Sequence, residues 1–250
     1  MNGVPGMYSE KETIDKIQNA MKNGVNKLYK AKCVNWIGVS NDSPPKPYVE
    51  IIAKELINKH YVGKLARWAA VKRTEYYSPN RRRIMINVDS NRKKENVAKV
   101  LFALFSDKSR RTLGELGNIF DHQVPLRKVK NDEAGKIDLV SYDQEKQKIW
   151  LIEMKNKENH ETLLRCILEI ATYYQILNKP SFVKDYELLE MDHAAVDSIH
   201  KAVLVFEDSS QSSDLEEMKK GNRPQLEKLS KLLDIEFFLL NINNQVKRVF

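Results

Sequence analysis

The stretch GKIDLVSYDQEKQKIWLIEMKN, residues 135–156, restricts the fold more than any other part of the chain. Its two seven-residue runs, KIDLVSY and KIWLIEM, are rich in β-branched and aromatic residues, and the polar, turn-prone DQEKQ separates them. That pattern predicts two strands joined as a hairpin. GNIFDHQVPL upstream is a further β-rich run. Downstream, ETLLRCILEIATYYQIL reads as a mostly apolar helix, followed by a strand at KAVLVF, a helix at QLEKLSKLL and a last strand at IEFFLL. Strands alternating with helices predict an α/β fold in which helices flank a central sheet. The intervening DSSQSSD, residues 208–214, reads as a polar loop.

The first 110 residues differ. Ile14, Ile17, Met21, Val25 and Leu28 recur at helical spacing, and Pro47 fits the first turn of a helix through IIAKELI. A further helix is expected over 91–106, capped by Ser90 or Asn91. The expected organisation is a mostly helical, basic region over 1–90 and an α/β domain over 91–250. A chain of 250 residues buries a substantial core without disulfides or a structural metal. Its 42% hydrophobic and 30% charged composition excludes a disordered or fibrous class. No apolar run approaches the ~18 residues of a membrane helix, and the opening residues lack a signal-peptide pattern. Two cysteines, Cys33 and Cys166, make neither a disulfide framework nor a thiolate zinc site. The expectation is a reducing, cytoplasmic compartment and no membrane partner.

The net charge of +8 is concentrated. Residues 59–94 hold 11 Lys and Arg against only Glu75 and Asp89, a local charge of +9. A field gathered in this way predicts a polyanionic partner. Lys72, Arg73, Arg81, Arg82, Arg83, Arg92 and Lys93 are the candidate nucleic-acid contacts. Tyr61, Trp68, Tyr76 and Tyr77 lie among them, so they either stack on bases or fill a local core.

The chain has no GxSxG elbow, HExxH, glycine-rich dinucleotide fingerprint or phosphate-binding GxxxxGK[ST], and its five histidines lack metal-ligand spacing. What remains is carboxylate and lysine chemistry. A Glu-x-Lys tripeptide carries little alone, since the chain contains two, Glu153-Met154-Lys155 and Glu217-Met218-Lys219, about as many as chance yields. Context separates them. Glu153 and Lys155 end an apolar strand and share one of its faces, and the hairpin brings Asp138 alongside Glu153. Charges at the end of a buried strand are costly unless paired or bound to metal. Two carboxylates brought together repel unless a cation joins them, so Asp138→Asn is expected to leave stability unchanged or slightly raised. All-oxygen ligands favour magnesium or manganese. Asp138 and Glu153 are the candidate metal ligands, with the Met154 carbonyl as a third, and Lys155 is placed to steady an attacking water or the developing charge.

The order of elements and the Asp138…Glu153-x-Lys155 spacing resemble the PD-(D/E)XK nuclease superfamily over roughly residues 91–207. Ile137 stands where the superfamily often has proline. The resemblance implies a restriction-endonuclease-like mixed central sheet flanked by helices, and magnesium-dependent cleavage, usually of DNA. It also implies a first acid on the preceding helix. Glu95 is favoured, because it aligns with Ala98, Phe102 and Phe105, while Glu115 stays open as the alternative. The expected catalytic set is Glu95, Asp138, Glu153 and Lys155. Helicase-associated members often carry Gln-xxx-Tyr on the next helix. Glu169-xxx-Tyr173 resembles that pair, and an Arg165–Glu169 ion pair explains the same spacing. His160 reads as a loop histidine and Cys166 as a small core residue. Two other readings stay open: a nucleic-acid-binding module without turnover, and a protein-interaction subunit. Oligomeric state is left open.

Overall fold

A computed structural model describes residues 7–82, 93–107, 112–126, 135–187 and 195–249. Six strands run β1 (Asn118–Pro125), β2 (Lys136–Asp143), β3 (Lys148–Met154), β4 (Ile199–Phe206), β5 (Ile235–Leu240) and β6 (Val246–Arg248). They form one open sheet in chain order. The β1–β2, β2–β3 and β5–β6 pairs are antiparallel, and β3–β4 and β4–β5 are parallel. Parallel neighbours need crossovers. Helices α5 (Leu163–Ile176) and α6 (Lys179–Glu187) supply the first, and α7 (Ser210–Lys219) and α8 (Pro224–Leu232) supply the second. The expected α/β class is what forms, as a mixed sheet with helices on its faces.

Residues 208–214 are not simply a loop, because α7 begins within them. Ser209 caps that helix by accepting from the Ser212 backbone N–H, and Leu215 and Met218 are buried beneath it. Serine and aspartate favour helix starts for the same reason that they favour turns: their side chains bond nearby backbone N–H groups. Only the two later apolar anchors distinguish the cases.

Ahead of the sheet lie α1 (Glu10–Lys22), α2 (Tyr48–Asn58), α3 (Tyr61–Leu65) and α4 (Lys93–Phe105). A capping box between Ser9 and Glu12 starts α1. The expected caps of α4, Ser90 and Asn91, lie outside the described residues, as do Arg83 and Arg92. Helices α1 to α3 share their buried residues with the sheet. Ile17, Leu28, Ile52 and Tyr61 belong to one continuous buried cluster with Val140, Leu151, Ile167, Leu229 and Phe237. The hydrophobic area that α1 to α3 must bury finds its partner in α5, α8 and one face of the sheet.

The other face buries a smaller cluster, in which Ala98, Leu101, Phe102 and Phe105 of α4 meet Trp150, Ile152, Leu204 and Phe238. Strand β3 shows the alternation directly. Trp150, Ile152 and Met154 join the α4 cluster, whereas Ile149 and Leu151 join the α5 cluster. The period of two therefore sends Glu153 to the α5 face, among a helix-covered apolar layer.

Gly117, just before β1, has φ +71°, and a Cβ there would stand 2.0 Å from the Tyr142 carbonyl oxygen. Gly221 has a similar φ of +76° with nothing within 4 Å of a Cβ. Both alanine variants carry left-handed strain, and only Gly117→Ala adds a backbone clash. Gly117→Ala should therefore lose a further 1–3 kcal/mol or so relative to Gly221→Ala, read from urea midpoints. Equal losses would contradict the close approach.

Candidate functional site

The last antiparallel pair of the β2–β3 hairpin is Leu139 with Ile152. One step further brings Asp138 and Glu153 opposite each other at the open end. Both are buried, at 2% and 0% exposure. Asp138 is held by three donors. Its Oδ1 accepts from Gln123 Nε2 at 3.1 Å, and its Oδ2 accepts from the Met154 backbone N–H at 2.9 Å and lies 2.6 Å from Lys94 Nζ. Gln123 adopts φ +51° within β1, a conformation uncommon for a non-glycine residue.

Lys94 decides the electrostatics. It stands in the first turn of α4, whose apolar stripe packs on the opposite face of the sheet. Its ammonium bridges the acid pair, 2.6 Å from Asp138 Oδ2 and 2.7 Å from Glu153 Oε1. The expected repulsion between the two carboxylates is thus opposed, though not abolished, within the chain itself. Asp138→Asn is correspondingly expected to destabilise the protein, because it weakens a buried charge pair.

Lys155 lies on the same face as Glu153, as the alternation requires, and its partners there are carboxylates. Its ammonium is 2.7 Å from Glu153 Oε1, 2.8 Å from Glu169 Oε2 and 3.0 Å from Glu161 Oε2. An ammonium has three N–H donors, and three carboxylates occupy them. With its side chain only 4% exposed, Lys155 lies under the acids and is not among the residues that line the cleft. Burial opposes its charge, and Glu153 and Glu169 outweigh that penalty and raise its pKa.

Glu169 completes the network. Arg165 approaches it at 3.9 Å and Glu161 at 3.1 Å, and the Tyr173 hydroxyl donates to Glu169 Oε1 at 2.7 Å. The Arg165–Glu169–Tyr173 spacing therefore carries both the i,i+4 ion pair and a link into the site. Tyr173 in turn requires Gly135, where a Cβ would stand 1.9 Å from its hydroxyl. Burial opposes ionisation of both Glu153 and Glu169, with opposite outcomes. For Glu153, burial comes first and Asp138 and Glu169 add to it, pushing its pKa up to about 8. For Glu169, Lys155 and Lys94 overcome burial and hold the pKa down. The difference has a geometric basis, since Glu153 Oε2 is buried without a hydrogen-bond partner.

A cleft of about 580 Å³ opens over this network, lined by Lys94, Gln123, Lys136, Asp138, Glu169 and Tyr173 among others. Glu95 lines it too, but pairs with Lys136 at 3.4 Å instead of joining Asp138 and Glu153. Glu115 is excluded as the third acid by position. It lies beside the turn end of the hairpin, 3.1 Å from Lys146, while Asp138 and Glu153 lie at the other end. His160 is exposed in the loop after β3, and Cys166 is buried with its thiol pKa raised by burial.

The basic segment is anchored by its backbone. Gln175 Nε2 donates to the Ala66 and Trp68 carbonyls, Asn178 Nδ2 donates to the Arg73 carbonyl, and Asp185 accepts from the Tyr76 and Tyr77 N–H groups. Tyr61 and Tyr76 are fully buried and Tyr77 is half-buried, so these rings serve packing. Trp68 alone of the four is exposed, at 40%. Lys72 points to solvent, and the Arg73 guanidinium lies over the Tyr76 ring, 5.5 Å from its centroid. Arg81 and Arg82 sit in a 3-10 turn (Pro79–Arg82), and Lys93 begins α4 beside the site.

The sequence reading missed Lys94, Glu161 and Gln123. For Lys94 a signal existed: with Ala98, Leu101 and Phe105 it follows i, i+4, i+7 and i+11 spacing, so a lysine begins the buried stripe of α4. A metal fits the acid pair in one respect: the pair already grips a cation, and Glu153 Oε2 has a lone pair to give. The donor set is small, and no group of three or more His, Cys, Asp or Glu is arranged for a metal among the described residues. Magnesium is commonly held by one or two carboxylates plus waters.

Removing Lys155 takes the shared buried cation from three carboxylates, so Lys155→Met should cost about 3–5 kcal/mol in urea unfolding. Glu153 predicts a pH dependence. A carboxyl raised from 4.5 to about 8 on folding favours the fold while protonated. That contribution is complete below about 4.5 and is lost as pH rises through about 8. In chelator-containing buffer, wild type should lose stability relative to Glu153→Gln between pH 5 and pH 8.5. A difference independent of pH would place the proton elsewhere.

Protein-family models, curated proteins and solved structures offer no match to this chain.

Proposed function

We propose that the protein is a metal-dependent phosphodiesterase of the PD-(D/E)XK type, with a restriction-endonuclease-like fold, acting on nucleic acid and most directly on DNA. One observation carries this reading. Asp138, which lines the cleft, and Glu153, buried beneath it on the adjacent strand of the hairpin, hold the Lys94 ammonium between them. Asp138 and Glu153 are the residues that would hold magnesium or manganese. When bound, such an ion lowers the pKa of a coordinated water and offsets charge on a scissile phosphate. The chain's own contribution is preorganisation. Gln123 and the Met154 N–H orient Asp138, Lys155 fixes Glu153 and Glu169, and Lys94 and Lys136 place positive charge at the cleft. Lys72, Arg73, Arg81, Arg82, Arg83, Arg92 and Lys93 extend that charge along the sequence for a phosphate backbone.

A second reading, a nucleic-acid-binding module without turnover, draws on a specific observation: Lys155 has its donors engaged, and Lys94 neutralises the acid pair. A cleavage assay on single-stranded, double-stranded and structured DNA, with and without magnesium and manganese, separates the two. The first reading expects metal-dependent cleavage that Asp138→Asn and Glu153→Gln abolish. Glu217→Ala should leave it intact, since Glu217 lies on α7 paired with Lys220. Comparable losses from Glu217→Ala and Glu153→Gln would overturn the site assignment. Binding without cleavage under every metal would favour the module.

Affinity itself should be salt-dependent. With four to six phosphate contacts, the log–log slope on duplex DNA should be about −4 to −5. Replacing Arg81, Arg82 and Arg83 with alanine should flatten it. A wild-type slope near zero would remove the basic segment from the interface.

A further inference from the structure

We propose that Lys94 is a tethered internal cation that competes with a divalent metal ion for the Asp138–Glu153 pair, so that metal binds only when the lysine side chain swings away into the cleft. This rests on the metal-dependent reading above and adds to it a device that sets the metal affinity. The first support is positional. Lys94 Nζ lies 2.6 Å from Asp138 Oδ2 and 2.7 Å from Glu153 Oε1. An ion bound through those same oxygens would take nearly the same place, and two cations so close repel strongly in a buried site.

The second support is the ratio of cations to carboxyl groups. Lys94, Lys155 and Arg165 face the carboxyl groups of Asp138, Glu153, Glu161 and Glu169, three cationic side chains for four acids. A divalent ion in place of Lys94 brings two positive charges to the Asp138–Glu153 pair, where the lysine supplies one.

The third support is that Lys94 has somewhere to go. Its side chain is 28% exposed and lines the cleft, whereas that of Lys155 is 4% exposed and held by three carboxylates. Lys94 sits in the first turn of α4, so rotation about its own side-chain bonds releases it without disturbing the helix. Two of its three N–H donors are engaged by the acids, and the swing delivers all three to the cleft. Expulsion by the metal would then place an ammonium where a phosphate enters, linking metal occupancy to substrate charge. The apparent metal affinity is the intrinsic affinity reduced by the fraction of molecules with Lys94 swung out.

The test measures manganese binding to the full chain by isothermal titration calorimetry, for wild type, Lys94→Gln and Asp138→Asn. Lys94→Gln should bind manganese at least about tenfold more tightly than wild type, and Asp138→Asn should lose binding. Lys94→Gln strips two buried carboxylates of a partner, so a second measurement uses wild-type protein alone. Acetylation of Lys94 by acetic anhydride, mapped by mass spectrometry, should be suppressed without metal and rise as magnesium is added, while exposed Lys228 stays constant. Equal manganese affinity in wild type and Lys94→Gln, or Lys94 labelling indifferent to magnesium while Asp138→Asn still loses manganese, overturns the competition and leaves the metal site standing. No manganese binding by wild type or Lys94→Gln overturns the metal-dependent reading, and the competition with it.

Discussion

Seven ionisable side chains meet at the open end of the β2–β3 hairpin, and the bridging of their carboxylates by Lys94 and Lys155 is what allows them to be there. Moving a charge out of water costs several kcal/mol even after the protein relaxes, and attraction repays this only with close, well-oriented partners. The geometry meets that demand. Lys155 touches three carboxylates within 3.0 Å, and Lys94 bridges two within 2.7 Å. The network draws together β2, β3, α4 and α5, which otherwise contribute to two separate hydrophobic layers. An apolar set of the same volume would be the simpler way to fill this space, so the retained charges make this end of the hairpin the candidate site.

The two lysines divide the work by depth. Lys155 is sealed beneath the acids and fixes their positions. Lys94 forms the boundary between the buried network and the cleft. Glu153 lies behind it, fully buried, with one oxygen unsatisfied. A buried acceptor without a partner is costly, and it is the kind of local shortfall that functional sites retain. The surrounding apolar layers keep the shortfall in place, since the strands that carry Asp138 and Glu153 are packed on both faces.

How much of this was legible in the sequence depended on the range of the interactions. The hairpin, the shared face of Glu153 and Lys155, and the approach of Asp138 follow from a period of two and a short turn, which are local properties. Helix α5 and the later strands followed from runs of apolar residues. Helix α7 was hidden because Ser and Asp serve turns and helix starts alike, and its two apolar anchors are a weak periodic signal. The aromatic residues of the basic segment were ambiguous for a different reason. Tyr61 belongs to the buried cluster that α5 shares, and Tyr76 packs on Phe182 of α6, both helices about a hundred residues later, and no local pattern records that. Glu95 shows the limit of a helical stripe, which places a residue at an edge but does not choose its partner.

The sequence by itself determined the α/β class, the hairpin, and the three residues Asp138, Glu153 and Lys155 that share its inner face. Each depends on alternation over a few residues, where backbone geometry leaves little choice. Tertiary structure alone decided which cation each carboxylate received. Lys94 comes from a helix packed on the opposite side of the sheet, 59 residues from Glu153. Glu161 and Glu169 reach Lys155 only after α5 docks against β3. A buried charge takes the nearest partner in three dimensions, at a separation of less than 3 Å that no spacing along the chain specifies.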